Sequence, residues 1–145
     1  MPDRVPAIKV LLLPKDTNAL GTIFGGVILS HVDLASAVEA RKTASHRYVT
    51  KAMNAVEFHA PVFVGDLVNF FTETTRVGRT SITVKVVVDA ERWGAGQGEV
   101  VRVTEAEVVL WQSALTEPRS RFVPRRLRHL RHLRHLRHLR HLVSP

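Results

Sequence analysis

Two adjacent glycines, Gly25 and Gly26, open the one long stretch of this chain with helical periodicity, and nearly everything apolar after it reads as strand. In residues 24–42 the side chains of Phe24, Val27, Ile28, Val32, Ala35 and Val38 recur at spacings of three and four, with Arg41 and Lys42 closing the last turn. Leu29, Ala37 and Ala40 widen that stripe, which predicts a helix enclosed by a sheet rather than resting on one. Residues 5–13 form an aliphatic first strand, followed by turn-forming residues 14–18. Four more strands are expected at residues 48–58, 66–76, 79–91 and 100–112. The joins at 61–65, 77–78 and 93–98 are short, so these four strands are expected to form an antiparallel meander. The class is α+β: an antiparallel sheet around one central helix.

The absence of cysteine excludes disulfides, thiolate catalysis and cysteine-ligated zinc. No apolar run is long enough to cross a bilayer, and the first residues do not read as an export signal, so the expected location is the cytoplasm. The net charge of +8 is concentrated at one end. Seven of the 21 basic side chains lie in residues 125–145, leaving 14 against all 13 acidic ones in residues 1–124. The chain is therefore divided into a nearly neutral domain, 1–124, and a basic tail, 125–145, that holds five copies of Arg-His-Leu. In an α-helix a three-residue period moves each leucine back by about 60°, so the tail makes no lasting apolar seam. Only the tail has a composition suited to nucleic acid, and its histidines would also bind metal adventitiously.

Three features of the domain bear on chemistry. Glycines at a helix start leave the unpaired N–H groups and the positive end of the dipole open to a ligand carbonyl, or else simply permit close packing. Asp33 lies seven residues beyond Gly26, two turns along nearly the same face and about 10 Å away. A carboxylate between Val32 and Leu34 is either a satisfied structural group or a functional one. Asn18 suits an Asx turn better than the orientation of a water molecule when read alone. His31 and His59 read as structural or peripheral. No Gly-x-Ser-x-Gly elbow surrounds a serine.

The run Asn18-x-x-Gly21-x-x-Phe24-Gly25-Gly26 followed by Asp33 resembles the signature of the hotdog-fold acyl-CoA thioesterases of the YciA and cytosolic acyl-CoA hydrolase group. The segments Phe58-His59-Ala60-Pro61-Val62-Phe63-Val64-Gly65-Asp66 and Val77-Gly78-Arg79-Thr80-Ser81 are similar to later motifs of that group, in order and spacing. The resemblance, over residues 5–112, implies a hotdog fold paired into a double hotdog, with active sites at the subunit interface and often a trimer of dimers. It implies Asp33 as general base or nucleophile, and Asn18 of the opposite subunit as the residue that positions thioester or water. Gly26 would donate its N–H to the thioester oxygen, while Gly25, Arg79, Thr80 and Ser81 would contact CoA. No metal and no cofactor beyond the CoA of the substrate are expected. The two turns between Asp33 and Gly26 fit a site shared by two subunits. A rival reading is a regulatory hotdog module that binds acyl-CoA without turnover, with a nucleic-acid-binding tail; a third, an enoyl-CoA hydratase, lacks a convincing Asp and His pair.

Overall fold

The computed structural model describes residues 4–94 and 98–113. In chain order the elements are β1 (Ile8–Leu11), a 3₁₀ turn (Pro14–Asp16), α1 (Gly25–Thr43), β2 (Tyr48–Phe58), β3 (Leu67–Val77), β4 (Ser81–Arg92) and β5 (Glu99–Gln112). The core lies between α1 and one face of the sheet: Ile28, Val32, Ala35 and Ala40 of the helix are buried with Val68 and Phe70, Val84, Val86 and Val88, and Val108 and Leu110. The strand period in β4 puts Val84, Val86 and Val88 on this face and Lys85, Val87 and Asp89 on the other, where Val87 alone of the three is buried. The first strand is shorter than residues 5–13. Pro6 has no N–H to give a ladder, and beyond Leu11 the chain turns so that the Leu13 N–H meets the Asp16 carboxylate at 3.0 Å. The expected domain end near Pro124 and the tail lie outside the described residues.

The sheet order is β1-β3-β4-β5-β2, antiparallel throughout. The expected meander therefore holds for β3, β4 and β5 and fails for β2, which pairs with β5 at the far edge. A short join does not force adjacency. Three strand spacings of about 4.8 Å separate β2 from β3, some 14 Å, whereas the eight residues 59–66 reach roughly 30 Å when extended. This connection crosses the sheet end beside the start of α1, where the Ile23 N–H bonds to the Val62 carbonyl at 2.8 Å and the Gly65 N–H to Leu12 at 3.0 Å.

Strand β2 is also irregular. Its register with β5 slips between Thr50 and Ala52 and again between Asn54 and Glu57. At the second slip Ala55 and Val56 stand opposite the single residue Ala106, and Ala55 takes φ 51°, in the left-handed region. Each extra residue reverses which face the following side chains meet. Thr50 pairs with buried Leu110, Met53 with buried Val108 and Phe58 with buried Thr104, so all three belong to the helix side of the sheet.

Candidate active site

Helix α1 starts at Gly25 after an extended Phe24, with no side-chain cap and no acidic residue in its first turn. Its N-terminal N–H groups keep the positive end of the dipole without a local anion. The two glycines differ in what surrounds them. A Cβ on Gly25 would stand 3.4 Å from the Phe58 ring, an ordinary contact. On Gly26 it would fall 2.4 Å from Cε1 of Phe24, whose exposed ring folds across the helix start. Beside Gly25 opens a cavity of about 330 Å³, bounded by Ile23, Ile28, Phe58 and residues 59–62. Among the described residues, His59 is the only ionisable side chain on its wall.

The loop wall of this cavity is fixed by a buried carboxylate. Asp66 is 5% exposed and accepts the Phe63 N–H at 3.0 Å and Nε of Arg92 at 3.2 Å. The same guanidinium donates to the Pro61 carbonyl and lies 4.9 Å from the centre of the Phe63 ring. Arg92 was not among the expected site residues. Its partner lies 26 positions away, so only the fold brings the two together.

Asp33 is half-buried, and its carboxylate accepts a hydrogen bond from the Thr50 hydroxyl on edge strand β2. It thus turns away from the helix start, which lies two turns back along α1. Thr50 escaped the sequence reading because the bulge that brings it to the helix face has no signature in residue types. Asn18 occupies an Asx turn: its Oδ1 accepts the Leu20 N–H at 2.8 Å and the Thr22 N–H at 3.3 Å, and its Nδ2 donates to Thr22 Oγ1 at 2.9 Å. Gly21, at φ 81°, completes that turn.

Arg79 and Thr80 are exposed in the β3–β4 turn, and Ser81 begins β4. The Thr80 carbonyl accepts the Gln112 N–H at 2.8 Å, whereas Phe58, which touches Gly25, pairs with Thr104. Eight residues of β5 at about 3.4 Å each separate the two places, roughly 27 Å, so one chain does not bring Arg79, Thr80 and Ser81 to its own Gly25 and Gly26. They lie nearer Asp33. Thr50, Leu110 and Ile82 form one row across β2, β5 and β4, which leaves Ser81, the neighbour of Ile82, about two strand spacings, or ~10 Å, from Thr50. The His31 ring stacks on Phe70 at 5.5 Å, with its Nδ1 2.9 Å from the Val27 carbonyl. Among the described residues no cluster of three or more His, Asp or Glu side chains is placed to hold a metal, and no helix is long and apolar enough to cross a membrane.

Residues 20–92 match the family described as the thioesterase superfamily. The chain belongs to that family. The matched span contains Gly25, Gly26, Asp33, Phe58 and Arg92, and excludes Asn18 and β5. Among curated relatives, this thioesterase is 39% identical over 119 residues to an uncharacterized acyl-CoA thioester hydrolase of Haemophilus influenzae, covering 81% of this chain and 77% of that protein. It is 32% identical to the acyl-CoA thioester hydrolase YciA of Escherichia coli, over 83% of this chain and 88% of that one. Among solved structures, Cj0915 of Campylobacter jejuni, a hexameric hotdog fold thioesterase, superposes with a TM-score of 0.73 at 42% identity, over 75% of this chain and 83% of the other. The curved antiparallel sheet around α1 is the hotdog fold.

Proposed function

We propose that this thioesterase hydrolyses acyl-CoA thioesters to free CoA and a carboxylic acid. The observation that carries the reading is the uncapped, glycine-lined start of α1 opening onto an almost uncharged cavity. Such a place favours a thioester carbonyl whose oxygen gains negative charge while its acyl group avoids water. The names of the Haemophilus and Escherichia relatives support the same substrate class.

In the proposed reaction the carbonyl oxygen accepts the Gly26 N–H at the positive end of α1. The Asp33 carboxylate takes a proton from water, and the resulting oxygen nucleophile attacks the carbonyl carbon. The tetrahedral oxyanion is held at the helix start until the C–S bond breaks and the CoA thiolate regains a proton from Asp33 or solvent. Alternatively, the carboxylate attacks directly, and water hydrolyses the mixed anhydride that follows. Since Asp33 faces the β2 edge and lies about 10 Å from Gly26 of its own chain, the two act on one carbonyl from different subunits. Asn18 of the subunit opposite Asp33 positions thioester or water, its loop fixed by the bonds to Leu20 and Thr22. Gly25 borders the bound thioester, and Arg79, Thr80 and Ser81, from the subunit that supplies Asp33, meet the pantetheine or phosphates of CoA. The assembly is a homo-oligomer, a trimer of dimers as the hexameric Campylobacter protein suggests. The chemistry needs neither a metal nor a cofactor besides the CoA of the substrate, and the proposed location is the cytoplasm.

Release of free CoA from acetyl-, butyryl-, octanoyl- and palmitoyl-CoA tests the reading, with Asp33→Ala compared at matched oligomeric state. Turnover that disappears in Asp33→Ala supports it. Binding of these esters by the intact protein without hydrolysis overturns it in favour of a regulatory acyl-CoA-binding module.

A further inference from the structure

The cavity beside Gly25 has a floor and a rim of different character. Ile23, Ile28 and Val62 are buried at 5%, 1% and 3% exposure and make the floor. Phe58, at 45% exposure, stands at the rim with its ring against the Gly25 backbone. Its position there follows from the bulge at Ala55 and Val56. Without that extra residue Phe58 would alternate onto the outer face of the sheet, and the cavity would lose a wall. An aromatic residue that is half-exposed and turned inward at the end of an edge strand gains little for the core. It forms part of the cavity wall.

We propose that this cavity receives the acyl chain and that Phe58 sets the chain length accepted, as a specificity-determining residue; this rests on the acyl-CoA reading above. With its oxygen on the Gly26 N–H, one residue along from the Gly25 that lines the cavity, the carbonyl would direct the chain past the Phe58 ring toward Ile23, Ile28 and Val62. The volume gives the scale. A space of about 330 Å³ equals about eleven water volumes of roughly 30 Å³ each, enough for a saturated chain of about eight to ten carbons once imperfect packing is allowed for. Ala60, also on the wall, is the second control point: a larger side chain there takes up part of the space, where removal of the Phe58 ring enlarges it.

The test measures binding as well as turnover, so that it holds whether or not the chain is an active hydrolase. The full-length protein, Phe58→Ala and Ala60→Phe are titrated with non-hydrolysable S-alkyl-CoA thioethers from two to sixteen carbons, and kcat/KM is measured for the matching acyl-CoA esters. Affinity of the unaltered protein is expected to rise about fourfold per added methylene and to level off near eight to ten carbons. Phe58→Ala moves the plateau to longer chains, raising the palmitoyl-to-octanoyl ratio at least tenfold. Ala60→Phe moves it to shorter ones, lowering octanoyl at least tenfold while acetyl changes less than threefold. Absence of turnover with this length dependence of binding intact overturns only the hydrolytic reading. A profile unchanged in both variants, or affinity in the unaltered protein that ignores chain length, overturns the assignment of Phe58 and the cavity. Where one variant fails to fold, the other decides.

Discussion

Replacing Arg92 by methionine keeps much of the aliphatic stem and removes the guanidinium that ties Asp66, Pro61 and Phe63 together. Stripping one partner from a fully buried ion pair costs about 3–5 kcal/mol, because the remaining charge stays uncompensated. Here Asp66 retains only 7% side-chain exposure, but Arg92 keeps 24%, so water screens the pair in part. A lower figure of about 2–3 kcal/mol follows, with the lost bond to the Pro61 carbonyl included. That is a large share of the roughly 5–15 kcal/mol that holds an ordinary domain together. Urea unfolding of the full chain, repeated at several protein concentrations to separate subunit dissociation from unfolding, measures the loss. Combination with Asp66→Asn completes a double-mutant cycle, in which a coupling above about 1 kcal/mol is expected. The wall built from residues 59–62 should loosen at the same time, so turnover of octanoyl-CoA falls further than that of acetyl-CoA. A loss below about 0.5 kcal/mol, or strict additivity with Asp66→Asn, would refute the account of Arg92 as the clamp on this loop.

Asp33→Asn should lower kcat by at least about a thousandfold while the oligomer persists in sedimentation; near-normal turnover would remove Asp33 from the chemistry. Thr50→Val removes a hydrogen bond to that carboxylate, a contact type contributing about 1.5–3 kcal/mol, so kcat should fall about 10–100-fold with little change in KM. Ala55→Val puts a β-branched residue at φ 51° and should cost about 1–3 kcal/mol, read as a lower urea midpoint. Burial alone would raise the pKa of Glu39, but hydrogen bonds from Lys42, Thr72 and Thr74, with the Lys42 charge, leave it lowered. A depressed carboxylate stabilises the fold above its unfolded value near 4.5 and loses that contribution as pH falls through its folded value. Glu39→Gln should therefore flatten the acid limb of stability below about pH 4.5, and an unchanged limb would show that Glu39 does not carry it.

The helix and the strands β3, β4 and β5 were legible because their chemistry is periodic. In α1 the three-four spacing locates Ile28, Val32 and Ala35 on the buried face, and in β4 the two-residue period does the same for Val84, Val86 and Val88, although Val87 between them is apolar too. The placement of β2 was not legible. Nothing in residues 48–58 distinguishes a neighbour of β3 from a neighbour of β5, and the length of the following join permits either. Asp33 could be singled out since an acid among apolar helix residues is unexpected, but Thr50 looked like any strand threonine. Asp66 was visible only as part of a motif, and Arg92 was visible not at all as its partner. Long-range pairs of this kind are set by register, which the pattern of one strand does not fix when bulges intervene.

Those bulges link the parts of the candidate site. A strand of unbroken alternation that placed Thr50 toward the helix would carry residues 52, 54, 56 and 58 there, which includes Asn54 and excludes Met53. The slip after Thr50 moves Met53 to the core side instead, opposite Val108, and the slip at Ala55 and Val56 keeps Phe58 there, opposite Thr104. Two shifts of one residue each thus reconcile a hydroxyl for Asp33, an apolar contact for the core and a ring for the cavity on one edge strand. The left-handed Ala55 carries a local conformational cost that makes sense only if the reversal it produces is needed. Moving or deleting one bulge would leave the composition of β2 untouched and exchange Asn54 or Glu57 for the side chains that now face α1, so the strand's irregularity, more than its residue types, determines what the helix start and Asp33 have around them.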